Sequence, residues 1–197
     1  MPKGIPLTDE EQAKRRKEIF DASVHLFLNN GFNETSMREI AQAAGIGKST
    51  LYDYFSTKDE ILLSFVENEL QILTEELAMI AGEAINAREK LRNLMFTYME
   101  YLARNEEFYI KLNYQVQRLA VNSLERIQPR RHALQDLVRQ AIEEGVRDGS
   151  FRPVNSLLAT RVMFTALTPA VYTTRPSGSR QQMMEEAYRL LVEGIQA

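Results

Sequence analysis

The stretch Gly45-Ile46-Gly47-Lys48-Ser49-Thr50 places a lysine and two hydroxyls at a glycine-rich turn. Such a set can hold phosphate in two ways. A nucleotide-binding loop needs Gly, four residues, then Gly-Lys-Ser/Thr, with a buried strand in front of it. Position 42 is Gln42, not glycine, and residues 36–44 read as a capped helix. No apolar strand ending in Asp is available to hold magnesium. The second way is a short helix opening after a tight turn. Its outward residues would be Lys48, Ser49, Thr50, Tyr52, Asp53 and Tyr54. These donors, acceptors and flat rings suit the groove edges and phosphates of duplex nucleic acid. The plain alternative is a helical hairpin with a solvated face.

The elements that must position this helix follow from spacing. Ile19, Ala22, Ser23, Leu26 and Phe27 make one helical stripe. Thr8-x-x-Glu11 can cap its start, and Asn30-Gly31 can end it. Ser36-x-x-Glu39 opens a second helix with Met37, Ile40, Ala41 and Ala44 on its apolar side. Ala41 gives a small crossing contact, and Gly45 can take the positive φ of the turn. A third helix covers Lys48 to Tyr54. A fourth opens at Thr57-x-x-Glu60 and runs to about Ala81. Longer helices are expected over 87–104, 106–122, 130–148, 155–173 and 180–195. Pro129, Asp148–Pro153 and Arg175–Ser179 break the pattern, and Pro169 should kink or end its helix. The expected fold is all-α, with a three-helix module over residues 1–60 and a larger helical domain over 61–197.

Other chemistry is poorly supplied. The chain has no cysteine, and His25 and His132 lack partners at metal-ligand spacing. Glu106-Glu107 and Glu143-Glu144 point about 100° apart on a helix, so neither is an acid/base couple. No Ser/His/Asp arrangement is identifiable, so neither enzyme, metal nor cofactor is expected. No run of about eighteen apolar residues is present, and no signal-peptide core opens the chain, which predicts a cytoplasmic protein without membrane contact. Net charge is −3, and residues 1–60 hold eight Lys/Arg against ten Asp/Glu. Any basic surface must therefore be local. Lys14–Lys17 could add nonspecific phosphate contacts, or simply form a solvated face.

The span "TSMREIAQAAGIGKSTLYDYFSTKDEIL", Thr35 to Leu62, resembles the DNA-binding module of the TetR family of bacterial transcriptional regulators. The matching features come in order: "LFLNNGF", a Thr-Ser cap, Ile-Ala, Ala-Gly-Ile, Thr-Leu-Tyr, Tyr-Phe and Lys-Asp-Glu. "GVRDGSFRP" resembles the loop before that family's last two helices. The resemblance implies phosphate contacts from Arg38, Thr35, Ser36 and Lys58. It implies base-edge contacts from Lys48, Ser49 and Thr50, and sugar, phosphate or thymine-methyl contacts from Tyr52 and Tyr54. Gly47 stands where the family commonly has serine, and Asp53 brings a carboxylate near the groove or faces solvent.

The remaining residues should serve dimerisation and control. Leu158, Val162, Thr165 and Ala166 mark one stripe; Met183, Met184, Ala187, Leu190 and Leu191 mark another. The resemblance implies that such helices pair across a two-fold axis. The expected interface is Leu158, Val162, Thr165, Met183, Ala187, Leu190 and Leu191, in a homodimer reading a palindromic operator. Met and aromatic residues crowd the middle helices, and at this spacing they serve first as core. The resemblance adds an effector cavity there, placed on Met95, Tyr98, Met99, Phe108, Tyr109, Leu112, Met163 and Phe164. Few ionisable residues fall on these stripes, so no strongly charged effector is expected. The reading is a repressor released from double-stranded DNA by a small lipophilic or aromatic molecule. The alternatives are an uninducible DNA-binding protein of the same fold, acting in chromosome organisation, and a nucleotide hydrolase.

Overall fold

A computed structural model describes residues 8–173 and 175–193, with the side chains at 113, 120–122 and 124 excepted. Among the described residues the chain forms eight helices: α1 (Asp9–Asn30), α2 (Met37–Ala43), α3 (Lys48–Tyr54), α4 (Lys58–Ala81), α5 (Ala87–Arg104), α6 (Glu106–Arg147), α7 (Ser156–Val171) and α8 (Arg180–Glu193). None of these is long and apolar enough to cross a membrane. By compactness the chain divides into two units. The first is 1–67 with 111–123, and the second is 68–110 with 124–197. The first unit thus runs past residue 60 and takes in part of α6.

The first unit closes on apolar residues at helical spacing. Ile19, Phe27, Ile40, Leu51, Phe55, Ile61 and Leu62 are all essentially buried. Phe20 packs against Phe55 and Phe65 with ring centres 5.6 and 5.8 Å away. The capping boxes of Thr8 with Glu11 and Ser36 with Glu39 are present; at the third expected start, Thr57 accepts from the Glu60 amide at 3.1 Å while the Glu60 carboxylate accepts from the Ser56 amide at 2.7 Å. Gly31 ends α1 at φ 96, ψ 148, a positive-φ extended backbone and not the left-handed helical turn that Asn30-Gly31 suggests.

The second unit has its core on α4, α5, the latter part of α6, α7 and α8, with Leu77, Leu91, Leu94, Met99, Val138, Ile142 and Leu167 at its centre. A Lys90–Glu144 pair at 2.9 Å ties α5 to α6. The expected break in α6 at Pro129 moves: the non-helical residue is Ser123, at φ −136, ψ 21. Pro129 lies inside the helix on an exposed face, as does Glu125, whose carbonyl loses its amide partner. Water can satisfy that carbonyl, so the helix tolerates the proline. In α7, Pro169 falls in the last turn, and the helix ends at Val171, not Thr173. Residue 195, the expected end of α8, lies outside the described residues.

"GVRDGSFRP" folds for steric reasons. A Cβ on Gly145 would lie 2.1 Å from the ring of Phe151, so only glycine lets that ring settle on α6. Phe151 is 1% exposed, and its amide donates to the Gly145 carbonyl at 2.8 Å. Gly149 makes the intervening turn at φ +82.

Candidate nucleic-acid interface

α2 and α3 form a helix-turn-helix. Gly45 takes φ +65 in the turn, and the Ile46 amide donates to the Ala41 carbonyl at 3.0 Å. This seats Ile40 and Leu51, both fully buried, against the core. α3 is thereby pinned by Leu51 and presents Lys48, Ser49, Tyr52 and Asp53 outward. The Lys48 ammonium lies 5.7 Å from the centre of the Tyr52 ring, one helical turn on. Asp53 belongs to this same exposed stripe. Thr50 and Tyr54 sit half-buried on its flank. No strand precedes the turn among the described residues; the chain before it is α2. The nucleotide-loop alternative therefore lacks its scaffold.

The other expected contacts divide sharply. Arg38 is exposed at the start of α2. Thr35 is 2% exposed, and its hydroxyl donates to the Gly31 carbonyl at 2.8 Å. That hydroxyl is built into the turn and does not face outward. The Ser36 hydroxyl donates its proton to Glu39 Oε2 at 2.7 Å, so a phosphate would have to displace Glu39. The Ser36 hydrogen bonds hold the Glu39 carboxyl below its ordinary value of 4.5. Lys58 is the largest departure. Its ammonium donates to the carbonyls of Phe32, Asn33 and Thr35 at 2.6, 2.8 and 3.0 Å. All of its hydrogens are engaged. In the basic tract, Arg15 pairs with Glu18 at 3.0 Å, Lys17 pairs with Asp21 at 2.7 Å, and Arg16 lies over the Phe55 ring.

The expected effector residues lie mostly within the second unit. Met95, Met99 and Met163 are fully buried core. Tyr98 meets Phe164 edge-on at 4.5 Å, and Phe108 meets Tyr109 at 5.8 Å. Leu112 is the exception, belonging to the first unit. Tyr101 and Tyr172, which were not among the expected effector residues, complete a cluster around Tyr109, at 6.3 and 5.9 Å between rings. The Tyr101 hydroxyl donates to Glu69 at 3.2 Å, and that of Tyr172 to the Leu102 carbonyl at 3.3 Å. Burial pushes all these phenols above their ordinary range, and Tyr109 adds to the shift of Tyr98, Tyr101 and Tyr172. They stay protonated and can donate. Glu69 and Arg131 both act electrostatically on Tyr109, so ionisable groups do reach this region. They come from α4 and α6, whose facing the stripes alone could not assign. A surface groove of about 690 Å³ opens in the same unit. Its Arg92, Arg104 and Arg180 are paired with Glu185, Glu76 and Glu106.

Comparison with known proteins settles what kind of module this is. Residues 19–65 match the description "Bacterial regulatory proteins, tetR family", and residues 84–195 match "Tetracyclin repressor-like, C-terminal domain". The chain belongs to the TetR family. It is a DNA-binding transcriptional regulator. Among its relatives is the HTH-type transcriptional repressor KstR2 of Rhodococcus jostii, 29% identical over 88% of this chain and 87% of that protein. The fatty acid metabolism regulator protein of Bacillus subtilis is 22% identical, over 94% of this chain and 98% of its own. Among solved structures, the ketosteroid regulator KstR2 of Mycobacterium tuberculosis superposes with a TM-score of 0.72 at 24% identity, covering 93% of this chain and 95% of that one. FadR from Bacillus subtilis in complex with stearoyl-CoA gives 0.76 at 23%, covering 91% and 98%.

The regulator carries an apolar outer face on its last two helices. Leu158, Val162 and Leu190 are 58, 46 and 63% exposed, and Thr165 and Ala166 extend the α7 stripe outward. The opposite side of α7, with Met163 and Leu167, is core. In α8, Met183, Ala187 and Leu191 are half-buried against that core, while Met184, taken with them from the sequence, is core itself beside Tyr188 and Val192.

Proposed function

We propose that this TetR-family regulator is a homodimeric repressor released from a palindromic operator by a lipophilic effector, acting in the cytoplasm. The observation that carries the reading is the outward stripe of Lys48, Ser49 and Tyr52 on a helix pinned by Leu51. A helix so mounted can enter a major groove with its N-terminal residues toward base edges. The exposed face of Leu158, Val162 and Leu190 supports pairing of two copies, which would present two such helices about one DNA turn apart, roughly 34 Å.

For the effector we infer the region of Tyr98, Tyr101, Tyr109 and Tyr172 beside Met95, Met99, Met163 and Phe164. Neutral phenols surrounded by methionine and aromatic rings suit a long apolar body with a few oxygens. The stearoyl-CoA bound to one relative supplies such an apolar body in its acyl chain, while its phosphorylated CoA part would need contacts outside these phenols. Effector binding would be coupled to DNA binding by about 1–3 kcal/mol, so DNA must weaken the effector by the same factor.

The test begins with duplexes enriched by the wild-type protein from a randomised pool. The expected product is a two-fold symmetric sequence bound by two chains. Stearoyl-CoA, stearate and a 3-ketosteroid are then titrated against the complex, and one of them should lower its affinity at least about fivefold. Equal binding to all duplexes would refute the regulator reading. A symmetric site with no response to any lipophile would favour the uninducible alternative.

A further inference from the structure

The first turn of α4 holds a cation with three backbone partners. The three carbonyl oxygens of Phe32, Asn33 and Thr35 converge on Lys58 Nζ within 2.6–3.0 Å, and the Phe32 ring lies 4.9 Å from the same nitrogen. These carbonyls belong to the turn joining α1 to α2, where no helix supplies them with amide partners. Thr35 braces the same turn from within, through its hydroxyl on the Gly31 carbonyl. The next residue, Ser36, is the N-cap of α2. The ammonium therefore fixes the start of α4 to the residues that set where α2 begins, and α2 carries the turn into α3.

We propose that Lys58 serves DNA binding as a positioning residue, seated in this three-carbonyl cup, and not as a phosphate contact. To reach a phosphate the ammonium would have to leave at least one charge-assisted hydrogen bond. Leaving would also uncap carbonyls of the turn that supports the reading helices. A displacement of the first turn of α4 withdraws the peg from the cup, so movement of α4 is felt at the α2 cap through one side chain. The cup also discriminates between cations. An ammonium aims three hydrogens in three directions, which converging carbonyls accept. A guanidinium is a flat fork suited to phosphate and poorly suited to this cup.

This rests on the DNA-reading role of α3, and its tests separate the two. In the free wild-type protein, nitrogen-15 NMR of lysine ammonium groups should show a slowly exchanging signal that is lost in Lys58→Met, distinct from that of the buried Lys90 paired with Glu144. Hydrogen exchange of the 32–36 amides should quicken in that variant. Absence from the wild type of any protected ammonium that Lys58→Met removes overturns the proposal without any DNA. On a duplex enriched by the wild-type protein, Lys58→Met and Lys58→Arg should both lose affinity, by about tenfold or more, with the slope of log K against log salt unchanged. A phosphate contact behaves otherwise. Lys58→Arg would then bind as the wild type does, and Lys58→Met would lower the slope by about 0.9 per contact. That pair of results overturns the proposal. Failure to enrich any duplex would instead strike the regulator reading, leaving the NMR and exchange measurements to decide the seat.

Discussion

Gly47→Ser should stabilise the free protein. Gly47 is the N-cap of α3, at φ −67, ψ 148, with no side chain to cap the helix. The backbone at two capped helices is nearly the same: Thr8 at −65, 162 and Asn86 at −67, 157. A Cβ at Gly47 would meet only Thr50 Oγ1 at 3.6 Å and Ser49 Oγ at 3.8 Å, which is ordinary contact. Nothing in the turn requires glycine here, in contrast to Gly45. A serine oxygen would accept from the amide of Ser49 or Thr50, worth a few tenths of a kcal/mol over glycine. Loss of glycine freedom in the unfolded chain adds roughly 0.4–1 kcal/mol. The sum is about 1 kcal/mol, or about fivefold slower opening of α3. Hydrogen exchange of the α3 amides reads this locally, and a melting shift of roughly 2–4 °C reads it globally. Faster exchange or a lower melting temperature would refute the reasoning. A more stable variant that loses DNA affinity would show that the glycine is kept for close backbone approach to a phosphate.

Lys48→Ala or Tyr52→Ala should abolish binding to an enriched duplex and leave the melting temperature within about 2 °C, since both are exposed; unchanged affinity in gel shift would remove α3 from the groove. Leu158→Glu with Leu190→Glu should yield monomers by light scattering, whereas removing α8 would also strip Met184, Tyr188 and Val192 from the core; a dimer in the double variant would clear this face. Gly145→Ala should destabilise the fold by about 1–3 kcal/mol through overpacking, because the Phe151 ring is 2.1 Å from the new atom; a thermal melt unchanged from wild type would contradict the packing. The Glu39 carboxyl titrates below its ordinary 4.5 in the folded chain, so its contribution is present above that value and is lost as pH falls through the lowered one; Glu39→Gln should flatten the acid limb of the stability curve, measured by melting from pH 7 to 3.

The residues explain why parts of this molecule can be read from sequence and parts cannot. Capping boxes are local: Ser36 and Glu39 are three apart, so their chemistry is complete in the string, and α2 and α3 begin and end where spacing puts them. A proline's effect is less local. Whether Pro129 breaks α6 depends on whether water reaches the Glu125 carbonyl, and that is a matter of facing. Apolar stripes share this limit. On α7 the stripe from Leu158 to Ala166 and the stripe of Met163 and Leu167 are both apolar, and only packing shows that the first faces outward.

Lys58 marks the limit most clearly. Its charge and its place at a helix start fit a phosphate contact as well as they fit a seat within the protein. What decides its role is the separation of 23 to 26 residues between the ammonium and the carbonyls it reaches. Backbone carbonyls carry no residue type, so no pattern of letters can announce a cup made from them. The one sequence trace is indirect: a turn holding buried Phe32 and buried Thr35 on either side of exposed Asn33 and Glu34 must aim carbonyls somewhere. A basic residue on a DNA-facing element therefore needs its hydrogens accounted for before it is counted as a contact. By that accounting Arg38 and Lys48 stay available at this surface, while Thr35, Ser36 and Lys58 hold the turn that aims them.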